Sequence, residues 1–167
     1  MQTLGQSRAT RRSPVTDVAI AVAIGLVAAL AKRYLDFSLG IPGHAGVGWI
    51  AVLVSSRLIT GRIGMGMVTG LSMAAFGVPL GLGHSLGYNA LLYGMSGALL
   101  DTGVLIRLPL HKAWGATLAG AIIHLAKFGF VFANALLSGV VKNVEVYGFI
   151  MSMRNHVFFG ALGGLLG

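Results

Sequence analysis

Cysteine is absent from the 167 residues, which excludes a disulfide scaffold, a thiolate metal cluster and a cysteine nucleophile. Charge is nearly as scarce. Only 10% of residues are Asp, Glu, Lys or Arg, against roughly 25% in an average soluble domain, so an ordinary cytosolic globule is excluded too. Just 4 residues are acidic. Spread over four segments, they supply neither a metal cradle nor an acid and base pair for phosphoryl chemistry, and no P-loop is present. Enzymatic activity and a bound cofactor are therefore not expected.

What the chain does contain is apolar and small. Hydrophobic residues make up 56% and glycine contributes 26 positions, about twice the usual share of roughly 7%. The glycines lie inside apolar runs, as in packed membrane helices. The net charge of +8 comes from 12 Lys and Arg, scattered singly between apolar stretches rather than gathered on a face, so no nucleic-acid partner is expected.

Six apolar runs follow a basic tail, residues 1–13, which carries Arg8, Arg11 and Arg12. Pro14, Thr16 and Asp17 supply helix-start chemistry. The runs are Val18 to Ala31, His44 to Ile59, Ile63 to Leu80, Leu86 to Ile106, Ala113 to Leu137 and Tyr147 to Gly167, with Gly, Pro or charge in every separator. The first is not read as a cleaved leader, because Lys32, Arg33 and Tyr34 follow it and five further runs need the same membrane. Residues 14–167 are thus expected to form an all-α integral membrane bundle of six transmembrane helices in the cell membrane, since unsatisfied backbone cannot face lipid. Cations set its orientation. Arg8, Arg11, Arg12, Arg57, Arg62, Arg107 and Lys112 fall on one side, and Lys32, Arg33 and Lys142 on the other, which places both termini in the cytoplasm.

Ionisable groups at membrane depth cost about 2.5 to 3.5 kcal/mol and need a partner or a wet cavity. Lys127 lies near the middle of the fifth run, and Arg154, Asn155 and His156 form a polar triplet in the sixth, with Asn134 toward the outer end of the fifth. Asp101, the one acid clearly inside a run, falls toward the cytoplasmic end. Lys127 and Arg154 then lack an adjacent carboxylate, and an anionic ligand would supply the missing charge. The alternative is that both side chains snorkel to an interface or bond backbone carbonyls. His44 after the Ile41-Pro42-Gly43 turn, and His84, Tyr88 and Asn89 at the start of the fourth run, add outer polar groups suited to a ligand lid. No two histidines share the helical spacing that presents both to one ion, so no metal site is expected.

Small residues recur four apart at Ala19 and Ala23, Gly66 and Gly70, Gly160 and Gly164, and Gly163 and Gly167. Each pair makes a strip where backbones approach. The glycine pairs read as internal packing, and the alanine pair as the better surface for docking another protein. Ser96 within Gly94-Met95-Ser96-Gly97, with His156, resembles the dyad of rhomboid intramembrane proteases, but the first outer loop is too short for that family.

The layout of residues 16–167 resembles the substrate-binding S components of energy-coupling factor (ECF) transporters. Ile41-Pro42-Gly43 leads through the second run to Arg57 and then to Gly61-Arg62-Ile63-Gly64-Met65-Gly66 and Gly70, and the stretch from His84 to Asp101 holds Tyr88, Gly94 and Gly97. The resemblance implies a subunit that captures a small vitamin or micronutrient outside the cell. Ala19 and Ala23 would dock on a membrane scaffold subunit, and separate ATPase subunits would hydrolyse ATP. It also implies a ligand site near the outer surface, where Arg154, Asn155, Lys127, Tyr88, Asn89 and His44 hold compatible positions. The amino-terminal Met-His-Ile pattern of the nickel and cobalt members is absent. A self-sufficient small transporter or channel is the alternative.

Overall fold

The computed structural model describes residues 12–34, 40–82, 85–139 and 148–167. Among them the chain forms six α-helices and no strand: α1 (Pro14–Tyr34), α2 (Gly46–Thr60), α3 (Met65–Gly77), α4 (Leu86–Leu105), α5 (Ala113–Ser138) and α6 (Phe149–Leu166). The all-α class and six helices agree with the six apolar runs. Residues 1–11 of the basic tail lie outside the described part.

Local chemistry sets the ends. Ser13 caps α1, its Oγ accepting the Thr16 amide at 3.1 Å, with Pro14 at the first helical position, where its missing N–H costs nothing. Asp17, read in the sequence as helix-start chemistry, is instead turned inward and buried. Gly61 and Gly64 both take positive φ, 65° and 91°, so the α2–α3 turn reverses the chain within four residues where a side chain at either position would be strained. Ser85 caps α4 through the Tyr88 amide at 3.3 Å. Helix α3 stops at Gly77, two residues before Pro79, which has no N–H to continue it.

Consecutive helices run antiparallel, and backbone contact at glycine holds them together. A Cβ on Gly97 would sit 2.1 Å from the Gly66 carbonyl oxygen, and one on Gly70 2.1 Å from that of Tyr93, so α3 and α4 touch main chain to main chain. Gly120 meets Gly160 and Gly164 in the same way between α5 and α6, while Gly163 and Gly167 press on Val47, Ile50, Ala51 and Val54 of α2. Three of the four small-residue pairs are therefore internal. Helix α2 is the hub, touching all five others and burying Trp49, Ile50, Leu53 and Val54. Ala19 and Ala23, by contrast, are exposed; the buried stripe of α1 is Ala21, Gly25, Ala28 and Ala29.

Large apolar side chains are exposed on every helix, among them Val27, Ile59, Leu71, Leu91, Ile122 and Phe158. Two helices, α1 and α5, are long and apolar enough to cross a membrane, with mean hydropathies of 2.1 and 1.6.

Candidate ligand cavity

The two ends of the bundle differ in charge chemistry. At the end holding the start of α1 and the α2–α3 turn, two arginines are paired with carboxylates. Arg62 Nε donates to Asp17 at 2.9 Å. Arg57 lies 3.3 Å from Asp101 with both side chains nearly excluded from solvent. Asp101 also accepts the Gly66 and Met67 amides at 3.3 and 2.9 Å, which fixes the start of α3 against α4. The Arg57 contact is Coulombic, because its Nε makes no aligned hydrogen bond. Asp101 thus lies at the end remote from Lys127, as the sequence suggests, but facing Arg57, which the sequence marks as a topology charge and as part of the transporter resemblance and not as an ion-pair partner.

The opposite end holds a cavity of about 490 Å³. The last turn of α1 contributes Lys32 and Arg33, the α3–α4 connection Gly81 and Leu82, α4 Tyr88, Leu92 and Tyr93, α5 Lys127 and Val131, and α6 His156. Three cations and no carboxylate line it among the described residues; Asp36 and Glu145 lie outside them. Behind the wall stands Trp49 of α2. The Lys127 ammonium sits over its ring, 5.0 Å from the centroid, a cation–π contact that helps to hold the charge at the cavity. Tyr93 and His124 meet the indole edge-on at 5.5 and 6.2 Å.

His156 is held by its neighbours. Its Nδ1 bonds the Ser152 carbonyl at 2.8 Å, its ring packs 4.7 Å from that of His124 and 4.8 Å from that of Phe128, and its own carbonyl accepts from His124 Nδ1 at 2.9 Å. With a carbonyl on Nδ1 of each ring, both Nδ1 atoms carry the proton and both Nε2 atoms are acceptors in the neutral form. His156 therefore offers the cavity an acceptor beside three cationic donors. The arrangement suits a small molecule bearing a carboxylate or phosphate together with a donor group.

Of the site residues named from the sequence, Lys127, Tyr88 and His156 come together here. Asn89 is buried beside them, its Nδ2 donating to the Leu82 carbonyl at 3.4 Å, so it ties the first turn of α4 to the connection that forms one wall. His44 bonds the Ile41 carbonyl and meets Phe159 edge-on, outside the cavity lining. Asn155 is half-buried and Asn134 exposed, and neither lines the cavity. Arg154 is exposed and belongs to a different depression, with Gly148, Phe149, Ile150 and Met151. The structure separates it from Lys127, where the sequence reading had placed both in one pocket. His84 lies outside the described residues. Lys32, Arg33 and Tyr93 were missed. Their signal was the two cations closing an apolar helix on the same side as Tyr88, and both had been counted only as loop charges.

Ser96 is fully buried and its hydroxyl donates to the Leu92 carbonyl at 2.8 Å, while His156 spends its Nδ1 on Ser152; the two are engaged separately and make no dyad. Comparison with family models, with curated proteins and with solved structures finds no match to the chain.

Proposed function

We propose that this chain is a six-span protein of the cell membrane, both termini cytoplasmic, that captures a small anionic vitamin or micronutrient outside the cell as the S component of an ECF-type transporter. The observation that carries the proposal is the cavity lined by Lys32, Arg33 and Lys127 at the end opposite the paired charges. Three cationic side chains lining one cavity offer charge-assisted hydrogen bonds to a carboxylate or phosphate on the cargo. Exposed apolar side chains on all six helices suit a lipid surround. Helices α2 and α3, with 15 and 13 residues, reach only about 20 Å at 1.5 Å per residue. They would fit a hydrocarbon core of about 30 Å by lying under loops or by thinning the bilayer locally.

The exposed Ala19 and Ala23 leave a shallow strip on α1 for the scaffold subunit, and ATPase subunits would supply the energy. Native mass spectrometry of the purified protein tests the cargo directly. The wild type is expected to retain a small anion, and Lys127→Ala to retain it at least about tenfold less well, the equivalent of about 1.4 kcal/mol. An unchanged occupancy removes Lys127 and the cavity from the proposal. Uptake by cells expressing this chain without any ATPase partner would favour a self-sufficient transporter instead.

A further inference from the structure

The cavity leaves Arg154 without a part to play. It stands on the exposed face of α6, five residues beyond Phe149, among side chains that are themselves exposed: Ile150 is 75% and Phe158 62% accessible. Its guanidinium contacts the Met151 sulfur at 3.1 Å, a weak acceptor that leaves most of its five donors unused. Among the described residues no carboxylate pairs with it. Gly148, Phe149, Ile150, Met151 and Arg154 enclose a depression of about 510 Å³, apolar but for that one cation.

A guanidinium cannot stay in hydrocarbon, so it must reach a polar layer. Five residues of helix place its Cα roughly 7.5 Å below Phe149, the first residue of α6, within the span that a long side chain covers by snorkelling. The polar group met there, at the rim of an apolar surface, is the phosphodiester of a phospholipid. Guanidinium and phosphate match in charge and in their forked geometry, and Ile150, Met151 and Phe158 offer the acyl chain a wall. We infer that Arg154 and the depression at the start of α6 form a phospholipid site, with the headgroup phosphate on the guanidinium. The inference rests on the membrane-spanning part of the proposed function and is independent of the cargo.

The test uses the purified full chain in nanodiscs of phosphatidylglycerol and phosphatidylcholine, released into a native mass spectrometer. The wild type is expected to keep a phosphatidylglycerol whose occupancy falls about tenfold in Arg154→Gln, as for losing one charge-assisted contact. It should be restored only in part in Arg154→Lys, which keeps the charge but not the fork, and unchanged in Lys127→Ala. The same lipid complement on Arg154→Gln overturns the site. So does stripping of the lipid by millimolar inorganic phosphate, which would mark a free-anion site. Loss of a retained small molecule from Arg154→Gln, with lipid unaltered, would assign the arginine to cargo. If alkaline carbonate releases the protein from membranes, the spanning reading falls and this site with it, whereas loss of the adduct result alone leaves that reading standing.

Discussion

The two carboxylate oxygens of Asp101 hold three helices. One accepts the Gly66 amide and lies against Arg57, the other accepts the Met67 amide, so α2, α3 and α4 converge on a single side chain. A buried ion pair adds little net stability, but breaking it strands the partner. The two single substitutions should then differ. Asp101→Asn keeps an oxygen for the α3 amides yet leaves Arg57 as a buried cation with no counter-charge, and should cost about 3–5 kcal/mol. Arg57→Met leaves a carboxylate that still accepts two N–H groups, and should cost less because those bonds stabilise the charged form. Thermal unfolding in detergent measures both. Equal losses would mean that the amide contacts contribute nothing and that the pair acts as an isolated charge couple.

Glycine decides which helices become neighbours. Lipid tails are as apolar as leucine, so in a bilayer the gain from association comes from close van der Waals packing rather than from leaving water, and backbone contact is the closest packing available. Gly97→Ala puts a methyl 2.1 Å from the Gly66 carbonyl oxygen and must push α3 and α4 apart. Gly48→Ala, on the same kind of helical backbone, meets nothing within 4 Å and should gain the helix propensity of alanine, up to about 1 kcal/mol. Opposite shifts in melting temperature are expected, Gly97→Ala down and Gly48→Ala level or up; a tolerated Gly97→Ala would show the α3–α4 contact to be loose. The helices themselves were legible in the sequence, because Gly, Pro and charge interrupt the apolar runs within a few residues of each observed end. Which glycine faced which was not, since spacing gives a strip on one helix and says nothing of its mate. The same blindness hid the Arg57–Asp101 and Arg62–Asp17 pairs, because counting cations by loop records which connection they fall near and not their burial. It also merged Arg154 with Lys127. Both are cations inside apolar runs, and only the rotation of α6 against α5 distinguishes a side chain facing outward from one facing the cavity.

At the scale of the molecule, the bundle differs between its ends, with two buried or half-buried ion pairs at one and a cavity lined by Lys32, Arg33 and Lys127 at the other. Capture from outside the cell requires the second end to face outward, the orientation that the proposed topology predicts from the excess of Lys and Arg in the segments around the first end. A chain with no cysteine allows this to be read one position at a time. Tyr34 closes α1 at the cavity end, His111 lies between α4 and α5 at the paired-charge end, and both are exposed, so neither substitution disturbs the core. On intact cells a membrane-impermeant maleimide should label Tyr34→Cys, and should reach His111→Cys only after permeabilisation. The reverse pattern would turn the cavity toward the cytoplasm and end the case for uptake, while labelling of both in intact cells would mean that the bundle does not separate two compartments. Because the positive-inside bias acts through short basic segments, moving charge should move the protein. Replacing Arg57, Arg62, Arg107 and Lys112 would confound orientation with the loss of two ion pairs. The informative variant is therefore Arg107→Gln with Lys112→Gln alone, two exposed cations outside either pair, for which a minority of inverted molecules should appear as His111→Cys labelling without permeabilisation.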